Sequence, residues 1–290
     1  MTYPLPYPDL TEKKAYKDFQ KLKGMKWNEI MVEGEWYARE GTEYTYDLKY
    51  DGKPLYFRRL NSGNDASNYF QIENRWSVDG SVAPGPKRTW ETHKFMTTLM
   101  GSAYSLKMAK INRNILRTMI GLRKYICSQF KPNAAKALYD HYDVKNVLDF
   151  SMGWGDRLAG FYASMNTELY VGLDPRKENH PIYQKQAEYY TNQLGFFETE
   201  KKTKFHCEPA EEFDFKQYED TFDIIFTSPP YFNVERYGYD DTQSWIRYKN
   251  IDDWNNNFLQ NLSLIHISEP TRPERIGDDV VCLKKKTGGR

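Results

Sequence analysis

The run Phe222-Asp223-Ile224-Ile225-Phe226-Thr227-Ser228-Pro229-Pro230-Tyr231-Phe232 constrains the fold more than any other stretch of the chain. Ile224, Ile225 and Phe226 are apolar and β-favouring, as a strand covered on both faces requires. Pro229 has no N–H to give to a ladder, so the strand must end by Ser228. Pro230 fixes φ a second time, and the residue before each proline is pushed to extended geometry. Tyr231 is therefore expected at the carboxyl end of a strand, where open α/β sheets place their ligands.

Two earlier segments repeat the pattern of a strand running into a site. Asn146-Val147-Leu148-Asp149-Phe150 is a short apolar strand, followed by Ser151-Met152-Gly153-Trp154-Gly155 and the start of a helix. Glycine lets a ligand approach the backbone closely, and a helix start offers free N–H groups. Leu169-Tyr170-Val171-Gly172-Leu173 reads as the next strand and ends in Asp174, an acid able to take both hydroxyls of a ribose. A Gly-x-Gly-x-x-Gly pattern would need its third glycine where Leu158 stands. A pyrophosphate site is therefore disfavoured, and a nucleoside without phosphates fits better. A weaker strand at 205–207 leads into Ala210-Glu211-Glu212-Phe213.

The chain before these segments has a different texture. Residues 11–23 read as a helix capped by Thr11 or Asp9. Tyr44, Tyr46, Leu48 and Tyr50 alternate with polar residues up to Asp51-Gly52, after which Leu55, Phe57 and Leu60 follow, a hairpin signal. Residues 61–86 are rich in Asn, Ser, Gly and Pro, with a possible strand at 69–72. Between 92 and 139 there is no Asp or Glu, while Lys94, Lys107, Lys110, Arg113, Arg117, Arg123, Lys124, Lys131 and Lys136 occur there. Apolar residues at 106, 111, 115, 116, 120 and 122 recur near helical spacing, so one long amphipathic helix with a basic face is expected. Such a face can be simply solvated, or it can neutralise phosphates. Asn133 is expected to cap a short helix after Pro132.

Composition excludes several classes. Lys and Arg total 41 against 40 Asp and Glu, so overall charge does not mark a nucleic-acid binder. Aromatic residues make up 16% of the chain, which suits stacking surfaces as well as cores. The three cysteines form no Cys-x-x-Cys pair and the five histidines show no ligand spacing. No zinc site, other metal site or disulfide framework is expected, and a reducing cytoplasm is the simplest setting. No apolar run is long enough to span a bilayer, and the first residues lack a signal-peptide pattern.

Taken in order, these motifs resemble the class I S-adenosylmethionine-dependent methyltransferases, and within them the DNA amino-methyltransferases of the N4-cytosine and N6-adenine type. The resemblance covers about 133–260. Asp149-x-x-x-Gly153-x-Gly155 is similar to their first cofactor motif, Asp174 falls where their ribose-binding acid sits, and Glu211 lies in the segment beside the adenine ring. Pro209 stands where an Asp is common in that segment. Ser228-Pro229-Pro230-Tyr231 is similar to their catalytic motif. The resemblance implies an α/β chain with a Rossmann-like doubly wound sheet, and the texture of the first ninety or so residues reads as an N-terminal, aromatic-rich α+β accessory region. It implies S-adenosylmethionine as cofactor and DNA as partner, with methyl transfer to the exocyclic nitrogen of a flipped base. Ser228 and the adjacent carbonyl would accept hydrogen bonds from that amine, and Tyr231 would stack on the base. Phe232 either adds to that pocket or packs in the core; Glu235 either faces the site or is an exposed acid. Lys107, Lys110, Arg113 and Arg117 are the expected phosphate contacts. Ser at position 228 leans toward cytosine. A bacterial or phage-infected cytoplasm would suit such an enzyme, and its short length suits a phage or a restriction-modification system.

The expected organisation is an accessory region at 1–91, a basic helical segment at 92–143, a partial methyltransferase domain at 144–261 and a tail at 262–290. Leu262-Ser263-Leu264-Ile265-His266-Ile267-Ser268-Glu269-Pro270-Thr271-Arg272 resembles the translation of a transposase-type sequencing adapter. The expectation is that the native frame ends near 261. The sheet would then be incomplete, the strand bearing Ser228 would become or lie beside an exposed edge, and activity would be weak or absent. Two other functions stay open: an RNA or protein-glutamine N-methyltransferase, and an inactive nucleic-acid-binding module.

Overall fold

The structure is a computed structural model describing residues 4–33, 49–50, 53–58, 60–106, 111–123, 126–230, 232–264 and 280–283. The chain opens with α1 (Glu12–Gly24), whose Thr11 hydroxyl accepts the Lys14 N–H as an N-cap. The short α2 (Trp27–Ile30) leads into β1 (Met31–Glu33). Strands β2 (Lys49–Tyr50) and β3 (Lys53–Phe57) pair antiparallel, and β1 pairs on the other side of β3. The expected hairpin is present; its turn and most of its first alternating run lie outside the described residues.

The expected strand at 69–72 is instead part of α3 (Asn64–Trp76). Its buried face is largely polar, with Ser67, Gln71 and Arg75 recurring every four residues beside Ala66 and Trp76. A helical face made of Ser, Gln and Arg leaves no apolar period to read, which is why the strand-like Tyr69-Phe70 pair misled. Strand β4 (Asp79–Gly80) follows, then α4 (Pro86–Glu91).

The long basic helix expected from 92 onward is divided into α5 (His93–Ser105) and α6 (Arg113–Arg123), and the separate short helix expected after Lys131 is α7 (Pro132–His141). Pro132 takes the first position of α7, where a missing N–H costs nothing, and Asn133 lies inside the helix rather than capping it. Nor do all its cations face outward. Lys136 is buried and paired with Asp140, one turn on.

The centre is an α/β sheet. Strands β5 (Asn146–Asp149), β6 (Leu169–Leu173), β7 (Lys202–His206) and β8 (Ile224–Thr227) run parallel in the order β8-β5-β6-β7. Val147 and Leu148 of β5 stand opposite Tyr170 and Val171 of β6, and Leu148 also stands opposite Ile225 of β8. Helices α8 (Asp156–Ala163) and α9 (His180–Thr191) make the crossovers that parallel pairing requires. Past β8 come β9 (Glu235–Arg236), paired with β4, then α10 (Ser244–Arg247). Next come α11 (Ile251–Trp254), a π-helical stretch (Asn255–Leu259) and α12 (Gln260–Leu264). Strand β10 (Val280–Leu283) pairs antiparallel with β8. β8 is thus flanked on both sides, and it lies beside the sheet edge rather than forming it.

Two cores sandwich the sheet. On one face Phe19, Leu22 and Ile30 from the first two helices pack with Ala135, Tyr139, Leu158, Phe161, Tyr190 and Phe226. On the other, Leu148, Val171 and Leu173 meet Tyr248, Trp254, Phe258 and Leu262. The N-terminal helices therefore share the sheet's own core. Among the described residues, no helix is long and apolar enough to cross a membrane.

Candidate functional site

Strands β5, β6 and β8 end side by side, and the chain moves outward from β5 in opposite directions to reach β6 and β8. Such a reversal opens a crevice at the carboxyl ends of the strands. A cleft of about 860 Å³, counted out to its open mouth, lies there. Its walls come from four places: residues 151–157 after β5, 174–179 after β6, Ser228 and Pro230 after β8, and 237–244 beyond β9, with Ser128 and Phe130 adding a side.

The loop after β5 is held from below. Met152 N–H donates to the Leu173 carbonyl at 3.0 Å, tying the loop to the end of β6. Gly153 has φ +55° and Gly155 φ +72°, a region that costs an L side chain dearly. The Gly153 carbonyl accepts hydrogen bonds from Tyr183 Oη at 2.6 Å and Asn179 Nδ2 at 2.9 Å. A Cβ at Gly153 would meet nothing nearer than 3.9 Å, whereas one at Gly155 would stand 2.5 Å from Gln186 Oε1. Gly153 therefore leaves room at the cleft wall, and Gly155 makes room for α9. Between them Trp154 donates its indole N–H to the Ser128 carbonyl at 3.2 Å and packs edge-on against Tyr237.

Asp174 faces this loop across the cleft. One carboxylate oxygen accepts the Gly153 N–H and the other the Arg176 N–H, both at 2.9 Å. Burial pushes its carboxyl above the ordinary range, and the two N–H groups pull it back. Each oxygen keeps a lone pair, so the acid can still accept from vicinal hydroxyls. Asp156, also in the wall and raised by burial, is bonded by Gln129 Nε2 at 2.9 Å.

Of the expected site residues, Ser228, Pro230, Gly153 and Asp174 line this one cleft. Pro229 connects the two lining residues without itself lining it. Tyr231, Lys107 and Lys110 lie outside the described residues. Asp149 is fully buried and engaged by Arg157, Tyr170 and the Ser151 N–H, so it holds the loop in place and does not itself line the cleft. Glu211 is not at the cleft either. Its carboxylate accepts the Tyr248 hydroxyl at 2.6 Å and pairs with Arg247 at 3.3 Å. Phe232 packs on the second core near Trp254, the core option of the two expected, with φ +46°. Arg113 is exposed and donates to the Tyr7 carbonyl at 3.3 Å, and neither it nor Arg117 reaches the cleft.

Sequence reasoning missed the far wall. Tyr237, Thr242, Gln243 and Ser244 reach the cleft because β9 is paired to β4, some 150 residues earlier in the chain. Asn179 and Arg176 were also missed, although both stand within a few residues of Asp174, where strand-end loops carry function. Among the described residues no group of acids, histidines and cysteines is arranged to hold a metal. The cleft can take a small ligand with adjacent hydroxyls near Asp174, beside a second group at Ser228.

Comparison with known proteins gives no match to any protein-family model, curated protein or solved structure. The reading of the cleft therefore rests on its own chemistry.

Proposed function

We propose that the chain transfers a methyl group from S-adenosylmethionine to the exocyclic amino nitrogen of cytosine (N4) or adenine (N6) in DNA. One observation carries this reading: the Gly153 loop and Asp174 share a single cleft with Ser228 and Pro230. Donor-type and acceptor-type residues, far apart in sequence, thus face the same space.

The donor-side residues suit an adenosine. Asp174 offers carboxylate oxygens to ribose hydroxyls, and the open side of Gly153 lets the ligand approach the backbone. S-adenosylmethionine would supply an electrophilic methyl group on a sulfonium. The chain's part is then mainly orientation. An exocyclic amine conjugated to its ring is a poor nucleophile. Ser228 and the neighbouring carbonyl accept its N–H bonds, which turns the nitrogen lone pair toward the methyl group and favours the charge developing on nitrogen. The proton lost from nitrogen leaves along one of these hydrogen bonds to solvent. Pro229 and Pro230 keep this short segment rigid, which preserves the alignment.

The choice of DNA rests on the Ser228 motif rather than on charge, because the basic stretch is divided among three helices. Nucleoside mass spectrometry of unmethylated DNA, incubated with the protein and S-adenosylmethionine, tests the reaction, with Ser228→Ala and Tyr231→Ala as controls. N4-methylcytosine or N6-methyladenine is expected, at the low level that suits a sheet in which the Ser228 strand lies beside the edge, and lost in both controls. Donor binding without any methylated nucleoside in DNA would count against a DNA acceptor and turn the test to RNA and to glutamine amides.

A further inference from the structure

We infer that Arg176 is the carboxylate-binding residue of the cleft, receiving the amino-acid end of the methyl donor; the inference rests on the function proposed above. Arg176 follows Asp174 by two positions and lines the cleft, yet it is only 9% exposed. Its Nη1 has no hydrogen-bond partner among the described residues. A buried charged donor left unmet is costly, and native structures seldom tolerate one without a reason.

The other contacts of the guanidinium hold it in place without using it up. Nη2 reaches Ser77 Oγ at 3.3 Å, and Nε lies 3.7 Å from Glu178, whose side chain is 65% exposed. An ion pair that long and that open to water neutralises little. The guanidinium carbon lies over the Trp154 ring, 5.4 Å from its centre, and this cation–π contact holds the group beside the Gly153 loop. The Asp174 carboxylate, two positions earlier, accepts the Arg176 backbone N–H and forms no ion pair with its guanidinium. Arg176 is thus a preset, incompletely neutralised cation in the wall of a ligand cleft.

Burial selects the kind of anion. A phosphate in a polynucleotide backbone is tethered on both sides and cannot easily reach a guanidinium that is nine-tenths covered. The free end of a small, flexible ligand can. S-adenosylmethionine ends in an α-carboxylate, and an arginine fork matches a carboxylate with two parallel N–H bonds.

Isothermal titration calorimetry on the full chain tests this. The ligands are S-adenosylmethionine, S-adenosylhomocysteine and decarboxylated S-adenosylmethionine, and the proteins are wild type, Arg176→Gln and Arg176→Lys. Arg176→Gln is expected to weaken the two carboxylate-bearing ligands about 10- to 100-fold, the worth of a charged hydrogen bond, and to leave the decarboxylated one within about twofold. Arg176→Lys should recover part of the loss. Should Arg176→Gln fail to fold, Arg176→Lys against the same three ligands carries the comparison. Equal losses for all three ligands, or no loss for any, would overturn the inference. So would unchanged donor binding with weaker DNA binding and a salt slope lower by about one, the mark of a phosphate contact. Folded wild type that binds none of the three ligands would instead overturn the proposed function and this inference with it.

Discussion

Arg157 grips Asp149 through two hydrogen bonds, Nε to Oδ2 at 2.8 Å and Nη2 to Oδ1 at 3.1 Å, and both side chains are buried. Arg157 also donates to the Ser151 carbonyl, and Tyr170 Oη donates to the same carboxylate at 2.5 Å. Burial alone would push the guanidinium pKa down, and the Asp149 charge more than reverses this. The pair joins the end of β5 to the first turn of α8, so it fixes the loop between them. Removing one partner strands a buried charge, and Asp149→Ala is expected to cost about 3–5 kcal/mol. Urea unfolding measures this. The double variant Asp149→Leu/Arg157→Met should lose clearly less than the sum of the single changes. A large drop in donor affinity with unchanged stability for Asp149→Asn would show instead that Asp149 touches the ligand.

Glu211 gives the opposite expectation to the one its position in the chain suggests. Its carboxylate lies with Arg247 and Tyr248 on the far core, and its hydrogen bond and burial both push the Tyr248 phenol up. Glu211→Gln should therefore leave donor affinity within about twofold while costing roughly 1 kcal/mol of stability through the weakened bonds. Calorimetric titration and thermal unfolding of the same variant separate the two effects. A tenfold loss of donor affinity would return Glu211 to the ligand.

Lys201 sets a pH dependence. Burial lowers its ammonium pKa to about 8 from the ordinary 10.5, although the group donates to the Ser164 and Thr167 carbonyls and the Thr167 hydroxyl. Between those values the unfolded chain binds the proton and the folded chain does not. Stability should therefore rise as pH rises from about 8 to 10.5, by about 3 kcal/mol in all. Lys201→Met removes the titrating group, and its stability should lack this rise. Urea midpoints of both proteins from pH 7 to pH 10.5 measure the difference, and parallel profiles would show that Lys201 titrates normally.

What was legible in the sequence follows from where the signals lie. Strands β5, β6 and β8 were readable because each is a short apolar run ending at or just before Asp149, Asp174 or Ser228, whereas only the end of β7 was read, at 205–207, because Lys202-Thr203-Lys204 is polar. Gly153 and Asp174 were readable as one site because both belong to consecutive strand ends. Asp149 was readable as important but not as buried, since a carboxylate beside a loop looks the same whether it faces a ligand or an arginine eight residues on. The helix α3 was missed because its buried face is built from Ser67, Gln71 and Arg75, whose hydrogen bonds to Trp154, Asn74 and Cys127 replace apolar packing. The basic stretch was read as one long helix for the converse reason. Lack of acids between 92 and 139 says nothing about which way each lysine points, and Lys136 found its partner in Asp140, just past that span.

The far wall of the cleft depends on a contact no local pattern announces. Tyr239 Oη donates to Asp79 Oδ2 at 2.7 Å, while Asp79 Oδ1 accepts the Gly85 N–H at 2.6 Å. Next to this clasp β4 pairs with β9, so the segment carrying Tyr237, Gln243 and Ser244 is pinned to the N-terminal part of the chain. Asp79 is buried and therefore pulls strongly on the phenol, which its hydrogen bond holds above the ordinary tyrosine range. Tyr239 is 63% exposed, so water replaces part of this bond and Tyr239→Phe should cost about 0.5–1.5 kcal/mol, most of it local. Amide hydrogen exchange over 232–244 should speed up while exchange in β5 and β6 stays slow. Donor affinity should fall several-fold, because the wall that narrows the cleft is no longer held. Arg88→Ala, which removes only a long contact to Asp79 at 3.4 Å, should do none of this. If the two variants behave alike, the clasp is not what holds the wall.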